Sequence, residues 1–501
     1  MRVAPGMERG ETHAVEEVSQ LPFARDGIAD TVDNERLNNQ LAGRHARIER
    51  AKRVLKNNLH VAPHGAQGVS FERQDVLVFK VNAAGRGFQK AQNKPPEAGY
   101  EVSGSDKQAS QYTTYLQKHG IQLYIEQTKE AIAKMHQTKP IDWFVYTSAL
   151  PLENPHHPEL MYVHELGIHH SKRDDFLQYF LTEKKLKLIA FAGTHGKTSS
   201  TAMAVWTAKQ LGVPISYSVG AKISFGDMGH YDPSSKYFLY ECDEFDKNFL
   251  AYQPYISVLT KVDWDHHEQY PTRKNYIDAF RQFVSQSKNV IAHKSELKYL
   301  SIESKNNVHE IDESLLPLLK IKGAHNRSNA AGVATAMAMI QRTNDYESII
   351  RALNAYPGSN RRFEKLTDNI YSDYAHTPEE IAATLQLAKE YGKSIVVVYE
   401  PLTNRRQHFM RDAYKDVFQQ LDALYWLPSY LAREDPELDI IHPEQFIAQL
   451  PESAHAHTAK LNDELKSTII QASNSGALVL LLAGGGGGSL DEWARKAFVK
   501  R

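Results

Sequence analysis

Short apolar runs alternate along most of this chain with segments of helical character. LKLIAFAG (186–193) is an apolar run of strand length, and TSSTAMAVWTAKQLG (198–212) has helical character and ends in a Gly-Val-Pro stop. YEVSGSD (100–106) and IDWFVYTSA (141–149) read as strands with helical stretches between them. YFLYECDEFD (237–246) and YISVLTKVDWDHH (255–267) read as strands that run into acidic or histidine-bearing ends. NIYSDYAHTP (369–378), SIVVVYEPLT (394–403) and GALVLLLAGGGGG (476–488) mark three strands of a last α/β module. This alternation predicts an α/β fold, in which ligands gather at the carboxyl ends of the strands. AYPGSNRRFE (355–364) reads as a domain joint.

Residues 1–92 read differently. LNNQLAGRHARIERAKRVLKNNL (37–59) fits a basic amphipathic helix and VLVFKV (76–81) a strand, with little pattern between them. A basic helix can touch RNA or a membrane surface, but so short a charged run favours a solvated or poorly ordered segment.

The chain has 501 residues, enough for about three domains of ~150 each. A net charge of −1 gives no global field for nucleic acid or membrane. The single cysteine, Cys242, excludes an intrachain disulfide framework and an all-cysteine zinc site. No apolar run approaches the ~20 residues of a membrane span, and the first residues lack the apolar stretch of a secretory signal. A cytoplasmic enzyme without nucleic-acid or membrane partners is the expectation.

FAGTHGKTSS (191–200) carries the strongest chemistry. Strand, glycine turn and helix start are the context of a phosphate-binding loop, where free N–H groups and the helix dipole meet phosphate. Lys197 then reaches the outer phosphates and Thr198 offers its hydroxyl to Mg²⁺. The strict spacing requires glycine at 191, where Phe191 stands, so a plain turn with a solvated lysine remains the competing reading.

Glu241 and His266 sit at predicted strand ends downstream of this loop. A carboxylate such as Glu241, the Thr198 hydroxyl and phosphate oxygens suit Mg²⁺; histidine is a less usual ligand, so His266 acts through water or on a second metal. The competing reading makes Asp243, Glu244, Asp246, Asp265 and Glu268 strand-end surface charges. HELGIH (164–169) fails the zinc motif by one residue, because His169 at i+5 is turned away from His164. Asp373 and His376 lie at a strand end in the last module, and Pro378 fits the start of the helix after them. Arg361 and Arg362, at the joint, can clamp phosphate or form a surface pair.

Taken in order, these motifs resemble the Mur ligases. GTHGKTSSTAM resembles that family's ATP loop, which commonly lacks the first glycine of the strict motif. ECDEFDKNFL resembles its acidic segment, VDWDHHEQY its D-H segment, and GAHNRSNAAGVATAM its H-N-x-x-N-A helix. NRRFE resembles its hinge arginine and SDYAHTPEEI its D-Y-[AG]-H-x-P motif. The resemblance covers about 97–501 and implies three domains: a Rossmann-like N-terminal domain, a central P-loop ATPase domain and a C-terminal Rossmann-like domain. The expected boundaries are 1–75, an atypical segment that is disordered or artefactual; 76–182, an incomplete UDP-sugar domain; 183–357, the ATP domain; and 358–501, the amino-acid domain.

Within the family, GTHGKT, the acidic motif and VSGSD look most like the branch that joins L-alanine to UDP-N-acetylmuramate through an acyl phosphate, in peptidoglycan precursor synthesis. The resemblance implies ATP and Mg²⁺ as cofactors, small-molecule substrates, and a monomer or weak dimer. It assigns Gly193, Thr194, His195, Gly196, Lys197, Thr198 and Ser199 to phosphate, and places His325, Asn326, Asn329, Arg361 and Asp373 around the nucleotide. Thr198, Glu241 and His266 hold metal, and Lys197, His266, Arg362 and His376 serve the chemistry. Two alternatives stay open: a ligase adding a tripeptide to the same sugar nucleotide, and a non-catalytic ATP-binding relative that has lost the sugar-nucleotide site. The departures motivate the latter. Where the family has strand–GIGGxG–helix, this chain has NAAGRG (82–87), with Gly85 and Gly87 as remnants, and Pro95 and Pro96 interrupt the expected helix. Either this loop has diverged, or residues 1–96 come from a misread start or frame; the second is the expectation. Lys261 replaces an expected asparagine, and EPLTNRR (400–406) keeps only Pro401 and Arg406 of Q-P-H-R-Y-[ST]-R.

Overall fold

Three sheets follow one another along the chain. The computed structural model describes residues 78–83 and, apart from short interruptions, 99–499. The expected basic helix at 37–59, Gly85, Gly87, Pro95, Pro96 and Glu268 lie outside the described residues. Among the described residues, no helix is long and apolar enough to cross a membrane.

The first sheet contains β1 (Val78–Ala83), β2 (Tyr100–Ser105), β3 (Gln122–Tyr124), β4 (Trp143–Tyr146) and β5 (His170–Lys172), in the order β3-β2-β1-β4-β5. β2–β3 and β4–β5 are parallel. β1 runs antiparallel to both neighbours, with Val78 opposite Ser105 and Phe79 opposite Val145. The chain therefore leaves β1 at the edge where β2 and β4 begin. A phosphate turn of the expected kind must leave from the opposite edge, at the carboxyl ends of parallel strands. The strand foreseen at 76–81 thus exists two residues later and points the other way.

The second sheet comprises β6 (Lys187–Ala192), β7 (Ser216–Ser218), β8 (Gly229–His230), β9 (Tyr237–Cys242), β10 (Ile256–Leu259), β11 (Val290–Ala292) and β12 (Val308–Glu310). Its order is β12-β11-β10-β6-β9-β7-β8, parallel except for β7–β8. Both faces are covered at the centre of the sheet, so β6, β9, β10 and β11 are largely apolar rather than alternating. Ile189 and Phe191 face the helices Lys197–Gln210 and Ala324–Gln341, whose alanines allow close approach. Leu188 and Ala190 face the helices Arg173–Glu183 and Arg273–Gln286.

The third sheet holds β13 (Glu364–Thr367), β14 (Ile370–Asp373), β15 (Ile395–Glu400), β16 (Ala423–Trp426), β17 (Ala456–Thr458) and β18 (Leu478–Ala483). Its order is β13-β14-β18-β15-β16-β17, parallel except for the β13–β14 pair. Thr377 opens the helix Pro378–Lys389 with a capping box closed by Glu380, the reciprocal arrangement that satisfies two orphan amides.

Candidate active site at the carboxyl ends of β6, β9 and β10

Phe191 is fully buried in β6, between Glu241 of β9 and Val258 of β10. It is a core strand residue, and the loop begins two positions later at Gly193. A Cβ at Gly193 would collide with the Thr260 hydroxyl and lie 2.9 Å from the Lys261 carbonyl. Gly196, at φ +89°, would place a Cβ 2.6 Å from Asn329 Oδ1. The loop therefore packs against β10 on one side and against the helix carrying Asn329 on the other. Thr194 N–H donates to Lys261 O (2.8 Å), and Asp263 N–H donates to the Thr194 hydroxyl (2.8 Å). The position where Lys261 replaces asparagine thus supports the loop through its backbone carbonyl, while its ammonium reaches Glu296 (3.3 Å).

Lys197 is buried, not solvated. Its ammonium donates to the Gly193 and Thr194 carbonyls and, at 2.7 Å, to Glu244. Glu244 is buried too, which overturns its reading as surface charge. Its other oxygen lies 3.4 Å from His266 Nε2. Asp243, Glu244 and His266 bring their ligand atoms within 4.8 Å of one another. The Thr198 hydroxyl donates to Glu241 (2.6 Å), and Glu241 also fills the space where Gly220 would carry a Cβ. Two carboxylate-bearing groups thus flank the first turn of the helix Lys197–Gln210. Ser199 lies in that same turn. Hard oxygen donors beside a glycine cradle at a helix start suit Mg²⁺ and phosphate.

The two hinge arginines part company. Arg362 reaches the loop, 3.4 Å from the Thr198 hydroxyl. Arg361 turns into its own module, donating to the Ala483 (2.8 Å) and Gly485 (3.0 Å) carbonyls, with Asp491 at 3.6 Å. Both guanidiniums stack on the Tyr374 ring. Asp373 likewise faces inward: its carboxylate accepts from the Phe363 (2.6 Å) and Ala375 (2.8 Å) amides, and burial raises its pKa. It holds the hinge segment, in which Arg361 and Phe363 have left-handed backbones, rather than the nucleotide cleft.

His376 enters a chain of contacts the sequence did not announce. Glu380 lies 3.0 Å from His376 Nδ1 and 3.2 Å from His195 Nδ1. His376 Nε2 meets Arg406 at 2.7 Å, and Arg406 grips both oxygens of Asp265 at 3.2 Å. Burial opposes charge on Glu380, but His376 and His195 outweigh it and hold its carboxyl well below the usual range. Burial likewise opposes the His195 imidazolium, yet the Glu380 bond prevails and its pKa is raised. For Glu380 a sequence signal existed, the T-x-x-E of a capping box. Asp265 and Arg406 each stood in a motif segment, but nothing in the sequence paired them across 141 positions.

At the start of the helix Ala324–Gln341, burial lowers the His325 pKa to about 4, and its Nδ1 has no hydrogen-bond partner. Asn326 folds onto the Lys322 carbonyl (3.0 Å), so Asn329 rather than Asn326 touches the loop. His164 and His169 do not share a helical face: the helix carrying His164 ends at Glu165, and His169 lies beyond it.

Known proteins resemble this chain in sequence and in fold. The chain matches the Mur ligase family catalytic domain over residues 81–185, the Mur ligase middle domain over 191–314 and the Mur ligase glutamate ligase domain over 361–485. It is 30% identical over 401 residues to the UDP-N-acetylmuramate–L-alanine ligase of Clostridium perfringens, covering 72% of this chain and 84% of that one. With the enzyme of the same name from Clostridium acetobutylicum it shares 30% over 377 residues, 68% of this chain and 80% of that one. In fold it is similar to the UDP-N-acetylmuramate–alanine ligase of Thermotoga maritima, with a TM-score of 0.60 at 22% identity over 79% of this chain and 91% of that one. A murein peptide ligase from Psychrobacter arcticus gives a TM-score of 0.52 at 19% identity, over 80% of this chain and 94% of that one. The chain belongs to the Mur ligase family.

Proposed function

We propose that this protein is an ATP-dependent, amide-forming ligase that joins L-alanine to UDP-N-acetylmuramate, a step of peptidoglycan precursor synthesis. The observation that carries the reading is the convergence at the strand ends. Lys197 and Thr198 of the loop, Glu241 and the Asp243–Glu244–His266 group of the central module, and Arg362 and His376 of the C-terminal module are joined in one network of contacts. The names of the curated relatives supply the substrates.

In this reading the sugar-nucleotide carboxylate attacks the γ-phosphorus of ATP and ADP leaves. The amine of L-alanine then attacks the acyl carbon, phosphate departs, and the nitrogen loses a proton. This chemistry asks chiefly for alignment and charge neutralisation. The loop amides and Lys197 bind the phosphates, and Arg362 adds positive charge from across the hinge. Thr198 with Glu241, and Glu244 with His266, would hold Mg²⁺, which would neutralise phosphate charge when bound. His376, oriented by Glu380 and Arg406, faces the amine side. The protein works on small molecules, as a monomer or weak dimer in the cytoplasm.

One observation favours a second reading, an ATP-binding relative without a sugar-nucleotide site: β1 runs antiparallel to its neighbours. ADP release by the full chain decides. Release that requires both UDP-N-acetylmuramate and L-alanine is the expected result. A requirement for tripeptide instead of L-alanine points to the peptide-adding branch, and ATP binding without sugar-nucleotide binding to the second reading.

A further inference from the structure

We propose that the helix Pro378–Lys389, with its C-cap Glu390, is a strut that ties the C-terminal module to both ends of the nucleotide cleft, with Glu380 and Glu390 as its positioning residues. It goes beyond the ligase assignment and uses that assignment only to name the cleft.

At the first turn of the helix, Glu380 bridges His376 of its own module and His195 of the phosphate loop. Ten residues on, about 15 Å along the axis at 1.5 Å per residue, Glu390 meets the start of the helix Ala324–Gln341. Its carboxylate accepts from the Gly323 amide (3.0 Å) and from both terminal nitrogens of Arg327 (3.1 and 3.0 Å). Gln386, one turn earlier, accepts from the Ala324 amide at 2.9 Å. The first amides of a helix have no partner within it. Here Gly323 offers no side-chain cap, and side chains of the other module supply the acceptors. Leu387 closes the contact: a Cβ on Gly323 would lie 2.9 Å from its Cδ1.

The helix Ala324–Gln341 in turn abuts the phosphate loop through Asn329 and Gly196. One rigid rod therefore touches the loop at one end and the helix that braces the loop at the other. The charges are locked at both ends, Glu390 being held down to about 2 chiefly by Arg327. Ordinary interface packing would stabilise the joint without linking its geometry to nucleotide affinity. A strut links the two.

The test uses the full chain with spin labels at Lys274→Cys and Lys496→Cys, side chains 81% and 69% exposed. Cys242 is buried and out of reach of the label. Pulsed electron–electron resonance gives the distance between the modules, and titration with a fluorescent ATP analogue and Mg²⁺ gives affinity. In Glu380→Gln/Glu390→Gln the distance distribution should broaden toward longer values and nucleotide affinity fall at least about tenfold. An unchanged distribution in the double variant, or a changed one with unaltered affinity, overturns the strut. If the double variant does not fold, Glu390→Gln alone decides by the same two readouts. A parent chain that binds no nucleotide would sink the ligase reading, while the distance measurement still decides whether the helix holds the modules together.

Discussion

The ammonium of Lys197 lies 2.7 Å from the carboxylate of Glu244, and the two side chains are 4% and 1% exposed. A buried pair of this kind is costly to break, because the partner left behind keeps its charge without its counter-charge. The loop lysine is therefore part of the core as well as of the cleft. We expect Lys197→Met to lower stability by roughly 3 kcal/mol in urea unfolding, and Lys197→Met/Glu244→Gln to recover most of that loss. Turnover should stay down by about 10²–10³ in both, the scale of one lost contact to transition-state charge. Near-normal turnover in either variant would remove this loop as the ATP site.

Glu241→Gln should raise the Mg²⁺ concentration needed for half-maximal activity by roughly tenfold or more. The amide keeps the shape and can still accept from Thr198, so stability should change by no more than about 1 kcal/mol. A Mg²⁺ titration that overlays the parent curve would reduce Glu241 to a partner of the Thr198 hydroxyl.

Gly196→Ala forces a side chain onto a backbone at φ +89° and toward Asn329. The left-handed conformation alone costs about 1–2 kcal/mol, and Asn329 must move. We expect a lower Tm and a raised KM for ATP together. Unchanged KM would show that the Asn329 contact does not shape the loop.

His325 gives stability a pH dependence whose sign follows from its lowered pKa. Its folded value is about 4, against an ordinary 6.5. Between these values the unfolded chain binds the extra proton, so this residue's contribution is present above pH 6.5 and is lost as pH falls toward 4. The full difference is on the order of 3 kcal/mol. His195, whose pKa is raised, works in the opposite sense: its contribution is present below 6.5 and fades as pH rises through its folded value. Unfolding of the parent and His325→Gln between pH 4 and 8 should therefore give curves that diverge through the acid range. Parallel curves would show that His325 titrates normally.

Much of the fold was legible because its signals are local. The apolar run ending at Ala192, the glycines at 193 and 196, and the helix start at Lys197 lie within a dozen residues, and strand, turn and helix form there as expected. Thr377, Pro378 and Glu380 specify a helix start by spacing alone, and a helix starts there. The missing i+4 histidine after His164 argued against a zinc site, and the helix ends before His169.

Tertiary structure decided what depends on direction and on distant partners. Arg361 and Arg362 are chemically identical neighbours, but the left-handed turn at the hinge sends one into its own module and the other to Thr198. Glu241 and Glu244 are three positions apart in one acidic run, yet one meets Thr198 and the other a buried lysine. Glu380 binds His195 across 185 positions, and the reversal of β1 is set by its pairing with β2 and β4. Apolar periodicity reports which faces of an element are buried. It carries no information on which distant element covers them or in which direction a strand is laid down, so the sequence by itself determined the elements and the loop, and the packing of modules against one another decided which side chains meet in the cleft.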